Sequence, residues 1–598
     1  MKQASRAKPP SPDFLGQGRV AFLAGRFHLA AEAYAKAREA NPRDPVALFN
    51  LASAKERLGD IDEAAVLLTQ ALRLRPGWFV PAQRLALLEA RYAVQSPGDL
   101  DPRGLLAAFA FDRIDLQPIA TAAMAHVQAH SPLGEALARA EAGHAADIAR
   151  DWLLRRTEKT LGQPLLLNAL SHGANQHPGF ERLLTAMRRI LLLEVRSQRF
   201  EDKALTGFVL ALIRQCINNE HVFAVSAEES DALSRLAVDW AALQAGAPDE
   251  ARRLMLLLLY RPHDALGARL SPELCRAIRP RALGDLLAAQ FGADEEEARL
   301  AAGIPVLGAI EDATARKVAA QYEAHPYPRW TSLQMPREGS AKTMLKGFMP
   351  PETLGFVDAP FRVLIAGAGT GRHALAASVR YGKNAQVLAV DLSRRSLAYA
   401  KAKAARFGVA NLDFAQADLQ SIPDEAGPFD IIEAVGVLHH MAEPFKGWQA
   451  LIRLLRPGEL MLAGLYSALS RQNIGELRRE PGYPGPGCDE AAARAFRAGL
   501  LERGNQLTAS YDFYSLSNFR DLALHEHERP IFLSEVEAFL EQNGLVFRGF
   551  SLPPLITAAF LTAFPGEKRP GSLANWAKFE EQHPHTFDAM YQIWCQKA

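Results

Sequence analysis

The first hundred positions alternate apolar and polar residues at spacings of three and four, which predicts short amphipathic helices. The same texture runs from about Asp101 to Ala301, where "GFERLLTAMRRILLLEV" and "ALTGFVLALIRQCINNEHVFAV" keep the helical period with no glycine-rich break. After Gly339 the pattern changes. Apolar runs of strand type fall at "FRVLIAG" (361–367), "AQVLAVD" (385–391), "LDFAQAD" (412–418), "FDIIEAV" (429–435) and "ELMLAGLYS" (459–467), with helical stretches between them. That alternation predicts an α/β domain with a doubly wound parallel sheet. A helix at "SEVEAFLEQNG" and two late strands, "LVFRGF" and "TAAFLTAF", are expected to complete it. The tail carries Trp576, Phe579, Phe587, Tyr591 and Trp594 at helical spacing and reads as a helix packed on the core.

The N-terminal helices repeat. Pro42 and Pro76 are 34 positions apart, as are Gly25 and Gly59, Ala30 and Ala64, and Ala37 and Ala71; Tyr34 and Leu68 keep a large apolar position in register. A period of 34 with small residues at helix crossings and a closing proline is the tetratricopeptide signature. Gln17, Ala21 and Lys55 depart from it, and a third unit begins near Phe79 and then degrades. Two repeats plus a capping helix are expected, because two alone bury too little. The predicted layout is repeats over 1–100, a helical domain over 101–310, a connecting segment over 311–360 and the α/β domain over 361–598 with an insertion at 468–530.

Composition narrows the class. The 598 residues include 68 basic and 67 acidic ones, a net charge of +1, so neither a nucleic-acid nor a membrane surface is expected. Cys216, Cys275, Cys488 and Cys595 lie far apart, which suggests neither a zinc site nor a disulfide framework and fits a reducing cytoplasm. The basic start, "MKQASRAKPPSPDF", lacks the apolar core of a signal peptide. Leu254–Leu259 is far too short to span a bilayer.

The chemistry begins at "VLIAGAGTGRHAL" (363–375). A glycine loop between strand and helix can hold a dinucleotide, a phosphate or an adenosine-type cofactor. No Gly-Lys-Ser/Thr follows, which removes the phosphate loop. Gly367, Gly369 and Gly371 run GxGxG, with Arg372 where a dinucleotide loop would have its third glycine. Asp391 ends the next strand 20 residues past Gly371, where a carboxylate can accept bonds from ribose hydroxyls. Asp418 ends the third strand.

In order and sequence, "VLIAGAGTGR", "AVDLS", "ADL", "FDIIEAVGVLHHM" and "LLRPGELMLAGLYS" resemble class I S-adenosylmethionine-dependent methyltransferases of Rossmann-like fold. The resemblance covers about 361–467 in sequence and extends to about 565 in topology; Ala366, in place of a frequent acid, and Glu459, in place of a glycine, depart from it. It implies S-adenosyl-L-methionine as cofactor. Ala366, Gly367, Gly369 and Gly371 would approach its methionine part, Asp391 with Leu392 its ribose, Asp418 with Leu419 its adenine, and Val435 would border the same crevice. The loop "QYEAHPYPRWTSL" and the helical middle resemble bacterial proteins that join tetratricopeptide repeats to a methyltransferase. Tyr322 and Arg329 of that loop either meet the cofactor or belong to an aromatic clasp with Tyr327 and Trp330.

His439, His440 and Tyr466 are the catalytic candidates, one histidine at most serving as base. In the insertion, Asp512, Tyr514, Arg520 and Asp521 are candidate acceptor contacts. His525 and His527 could ligate a metal from one strand face, but no third ligand is identifiable in the sequence, so no metal is expected. The sequence predicts methyl transfer to a protein or peptide held by the repeats. A small-molecule acceptor and a silent scaffold are the alternatives, and the oligomeric state is unreadable.

Overall fold

The computed structural model describes residues 13–155, 158–266 and 270–598. The basic start of the chain, through residue 12, lies outside them. The chain forms two compact units. One holds the residues up to His221 with Ser226–Pro262 and Thr331–Gln334; the other holds Val222–Val225, His263–Trp330 and Met335–Ala598.

The first unit is helical. It opens with Phe14–Leu23, Phe27–Ala40, Pro45–Leu58, Ile61–Leu74 and Phe79–Tyr92, two antiparallel pairs and a fifth helix on the 34-residue register. Pro45 sits in the first turn of its helix, where its missing N–H costs nothing, and the Asp44 carboxylate caps the helix by accepting from the Val46 amide (2.9 Å). The repeat alanines Ala30, Ala37, Ala64 and Ala71 are buried, as are Tyr34 and Leu68, because close helix crossings admit only a methyl beside one large side chain. The periodic stretches of the middle region become Pro178–Leu193 and Lys203–Asn218. Between them and Pro248–Leu258 lies the fully buried Arg188, over the Tyr260 ring (4.1 Å) and 3.7 Å from Glu229, to which the Tyr260 hydroxyl donates at 2.6 Å. No described helix is long and apolar enough to cross a membrane.

The second unit is built on eight strands: β1 Val306–Leu307, β2 Phe361–Ala366, β3 Ala385–Asp391, β4 Leu412–Ala417, β5 Phe429–Val435, β6 Leu455–Leu465, β7 Leu545–Phe550 and β8 Tyr591–Lys597. Their order is β1-β4-β3-β2-β5-β6-β8-β7. The first six are parallel, and β8 runs antiparallel to both its neighbours. The order reverses between β2 and β5, which opens a crevice at the carboxyl ends of those strands.

Two expectations about the last strands need correction. "TAAFLTAF" lies mostly in a helix, Pro554–Ala563, begun by a proline and rich in alanine and leucine; an apolar run of that length does not distinguish strand from buried helix. The tail is not one helix. Trp576 and Phe579 lie on the helix Leu573–Gln582, Pro584 ends it in a short turn holding Phe587, and Tyr591 and Trp594 belong to β8. Tyr591, Ile593 and Cys595 take the core face by strand alternation, while Trp594 stacks on Phe348 (5.2 Å). Phe560 stacks on Trp576 (3.9 Å), and Phe550 and Phe587 close round it. Ser467, Tyr591 and Glu580 form a buried triad in which the Tyr591 hydroxyl donates to Glu580 at 2.7 Å. Trp576→Ala should destabilise this unit by about 3–5 kcal/mol, read as an earlier urea transition in the far-ultraviolet signal.

Candidate active site

The glycine loop follows β2 and is held in a shape only glycine adopts. Gly367, Gly369 and Gly371 have φ of +73°, +51° and +82°. A Cβ at Gly367 would lie 2.4 Å from Val437, at Gly369 2.7 Å from the Tyr327 carbonyl oxygen, and at Gly371 2.4 Å from the Ala400 methyl. One Asp391 carboxylate oxygen accepts from the Gly369 amide (2.8 Å), the other from the Ser393 amide (2.9 Å). Burial raises the Asp391 pKa, the charge of Glu323 adds to that, and the two amide bonds oppose it. Asp418 caps the turn after β4 by accepting from the Gln420 amide (3.1 Å), and burial raises its pKa too. Ala366, Leu392, Leu419 and Val435 stand at the same strand ends.

The segment before the sheet closes over the loop. The Thr370 amide donates to the Tyr327 carbonyl (3.2 Å), the Thr370 hydroxyl to the Pro328 carbonyl, and the Trp330 indole N–H to the Thr370 carbonyl (3.2 Å). Trp330 packs edge-on against Tyr399, whose hydroxyl donates to the Trp330 carbonyl, and Lys403 lies over both rings. The Arg329 guanidinium lies 5.9 Å from the Tyr399 ring, and its charge reaches Glu297. Arg329 and Trp330 thus clasp the helix Arg394–Phe407. Tyr322 and Tyr327 turn the other way, towards the insertion.

Beneath the loop is a charged group that the sequence reading missed. Glu433, in the middle of β5 and fully buried, accepts from the Tyr381 hydroxyl and contacts His373 Nε2, with Arg380 at 3.9 Å. Burial alone would raise its pKa, but His373, Arg380 and the Tyr381 bond together hold it at about 2. An acid inside "FDIIEAV" with a histidine just past the glycine loop was the available signal.

Residues 363–458 match the family model of a methyltransferase domain, and residues 21–91 that of a tetratricopeptide repeat. The chain joins tetratricopeptide repeats to a methyltransferase domain. An uncharacterized protein of Synechococcus sp. is 29% identical over 267 residues, which are 41% of this chain and 61% of that protein. A ubiquinone biosynthesis O-methyltransferase of Paracidovorax citrulli is 31% identical over 114 residues, 18% of this chain and 47% of that enzyme. The chain therefore spans about half to three-fifths of the length of these curated relatives. Among solved structures, PKMT2 of Rickettsia typhi in complex with AdoHcy is similar at 13% identity and a TM-score of 0.31, over 48% of this chain and 52% of that one.

Just past the carboxyl ends of β5 and β6, the candidate catalytic side chains cluster. His439 is wholly buried, with its ring 3.9 Å from that of Tyr466 and 4.3 Å from that of His440, and neither of its nitrogens has a well-formed hydrogen bond among the described residues. Burial, then the fields of His440, Arg471 and His525, push its pKa well below the usual histidine value. His440 bonds through Nδ1 to the His527 carbonyl (3.0 Å), and burial pushes its pKa down to about 3. Both rings are therefore neutral and weakly basic at physiological pH.

The insertion divides the remaining candidates. The Tyr514 hydroxyl donates to the Thr508 carbonyl (2.7 Å) and Arg520 to the Cys488 carbonyl (2.8 Å), so both brace the insertion itself. Asp521 accepts from the Tyr322 hydroxyl (2.8 Å), and Asp512 accepts from the Asn518 amide (3.1 Å). His525 and His527 lie in a loop rather than on a strand and do not form a ligand pair; instead His440, Asp521 and His525 bring potential ligand atoms within 4.8 Å of one another. The His440 and His525 rings, however, are stacked 3.7 Å apart at 21°, so their in-plane lone pairs run side by side instead of converging on one ion. The His525 Nδ1 accepts from the His527 amide (3.1 Å), which leaves Nε2–H facing the Tyr322 oxygen (3.0 Å).

Because the Glu433 pKa is held below its ordinary 4.5, its ionised form stabilises the fold above that value and the benefit is lost as pH falls from 4.5 towards 2. The stability advantage of wild type over Glu433→Gln should be constant between about pH 5 and 7 and shrink below about 4.5, as read by urea midpoints across that range.

Proposed function

We propose that this protein transfers a methyl group from S-adenosyl-L-methionine to an acceptor carried by a protein or peptide that the tetratricopeptide repeats hold. The observation that carries the reading is the Asp391 carboxylate bonded to the Gly369 amide at the switch point of the sheet, beside three left-handed glycines. That cradle fits the cofactor: the bare loop admits the methionine part closely, Asp391 can take the ribose hydroxyls, and Asp418 with Leu419 can border adenine. When bound, the cofactor supplies an electrophilic methyl on a sulfonium. The chain's own part is to hold the two reactants in line, which supplies most of the acceleration in such a transfer. The Tyr327–Trp330 segment fixes the loop, and the buried wall of His439, His440 and Tyr466 excludes water.

The repeats support the macromolecular reading. Tetratricopeptide repeats generally bind proteins, and the first hairpin leaves Val20, Leu23 and Leu29 exposed at 69%, 80% and 51%. A reducing cytoplasm is the setting that the free, separated cysteines suit.

Calorimetry should show binding of S-adenosylmethionine and S-adenosylhomocysteine and none of NAD; binding of NAD alone sinks the reading. Asp391→Ala should weaken cofactor binding about 10- to 100-fold, since it leaves hydroxyls unpaired and frees the Gly369 amide. Leu23→Asp combined with Leu29→Asp in the full chain should leave cofactor affinity unchanged and lower transfer of labelled methyl to lysate protein. An undiminished protein label would remove the repeats from acceptor binding.

A further inference from the structure

The proposed cofactor cradle makes no direct use of Glu433, yet this acid lies under it. In the parallel register of the sheet Glu433 stands opposite Ile365, two residues before Gly367. Its neighbours on β5, Ile432 and Ala434, turn to the apolar core on one face of the sheet. By strand alternation Glu433 turns to the other face, where it meets the helix Arg372–Tyr381. That helix starts straight from the glycine loop. Gly371 is its N-terminal cap, and the Gly371 carbonyl accepts from the Leu375 amide at 2.9 Å.

An apolar side chain would fill the same space without the cost of burying a charge, and a buried ion pair is a poor route to stability. What a carboxylate adds is direction. Ala374, Leu375 and Ala377 bury the helix through apolar contact, which is non-directional and leaves the helix free to slide by a fraction of a turn. Glu433 removes that freedom. One of its oxygens contacts His373 Nε2 in the first turn, the other accepts from the Tyr381 hydroxyl in the last, and Arg380 stands 3.9 Å away. An ionised carboxylate only accepts, so Nε2 carries the hydrogen and His373 is the donor.

The two ends of this clamp differ in what they govern. His373 is two residues from Gly371 and four from Gly369. A Cβ at Gly371 would already lie 2.4 Å from the Ala400 methyl, so the loop fits without slack and a shift of the first turn passes along the chain into it. Tyr381 is ten residues from Gly371, and its ring also packs edge-on against Phe361 (5.9 Å), a second hold on the last turn.

We infer that Glu433 is a positioning residue for the cofactor: through His373 it fixes the first turn of the helix, and so the place of Gly369 and Gly371, without itself touching the ligand. The inference rests on the reading of the glycine loop as the cradle for S-adenosylmethionine, and it names what holds that cradle in register with the sheet.

The test is calorimetric titration of S-adenosylhomocysteine into the full chain, as wild type and as single variants, with the urea midpoint of each measured beside it. His373→Leu should raise the Kd about tenfold, the loss of one charge-assisted bond. His373→Gln, whose amide can bring an N–H to where Nε2 stood, should stay within about threefold of wild type. Glu433→Gln, which keeps the shape and drops the charge, should raise the Kd about fivefold. Tyr381→Phe, which removes the far bond of the same carboxylate, should lower the urea midpoint and leave the Kd within about twofold. The His373 side chain is 34% exposed, so its variants decide the matter even if Glu433→Gln fails to fold. A carboxylate that only stabilises would give affinities that follow the midpoints, with Tyr381→Phe binding as weakly as His373→Leu. That pattern overturns the inference, as does wild-type affinity in His373→Leu. A loss in His373→Leu that Glu433→Gln does not share, or that His373→Gln does not relieve, overturns it too, because the imidazole would then meet the ligand itself. Failure of the wild-type chain to bind S-adenosylhomocysteine overturns the methyl-transfer reading, and the inference falls with it before any variant is compared.

Discussion

The backbone at Gly369 bears the constraint on which the site depends. Its amide is held by Asp391 from one side, and its missing side chain lets the Tyr327 carbonyl approach from the other. Two segments far apart in sequence are thereby fixed to one residue at the end of one strand. The same contact sets where Tyr327 can place its ring. A left-handed residue costs a substituted backbone about 1–2 kcal/mol, and this loop uses three, so the surrounding packing must hold a shape that an isolated peptide would leave.

Desolvation sorts the titratable groups around that point. Glu433 is as deeply buried as any of them, yet stays ionised because His373, Arg380 and Tyr381 surround it. At Asp512 burial and the charge of Asp521 outweigh Arg471, Asn518 and Arg372, and at His439 and His440 burial dominates, so all three shift towards their neutral forms. One physical effect thus gives a charged floor beneath the glycine loop and a mostly uncharged wall beyond the ends of β5 and β6.

The fold was legible where local pattern and tertiary role agree. Strands buried on both faces wrote themselves as apolar runs ending in Asp391, Asp418 and Val435, and the 34-residue register of the alanines follows from helix crossings that admit nothing larger. It was illegible where one pattern serves two structures. Residues 554–563 are apolar enough for a strand and short enough for one, and only their packing on Trp576 makes them a helix. Trp576, Phe579, Phe587, Tyr591 and Trp594 keep a spacing that survives the break at Pro584, so β8 was hidden in an apparent helix. In the site, the residues proposed to hold the cofactor lie within a few positions of strand ends, where local pattern is readable. The partnership of Tyr322 with Asp521 spans 199 positions and has no local signature. Nor does that of His440 with His525, whose rings meet only because the insertion returns to the strand ends.

The place of β8 in the sheet has a consequence for biogenesis. It is the last of the eight described strands in sequence, yet it lies between β6 and β7. During synthesis β6 must wait with a bare edge, and β7 has no strand to pair with until residues 591–597 have left the ribosome. An apolar edge kept open that long is a template for pairing with another chain. Completion of this sheet therefore waits on residues 591–597, and chains interrupted before Tyr591 would keep that edge open.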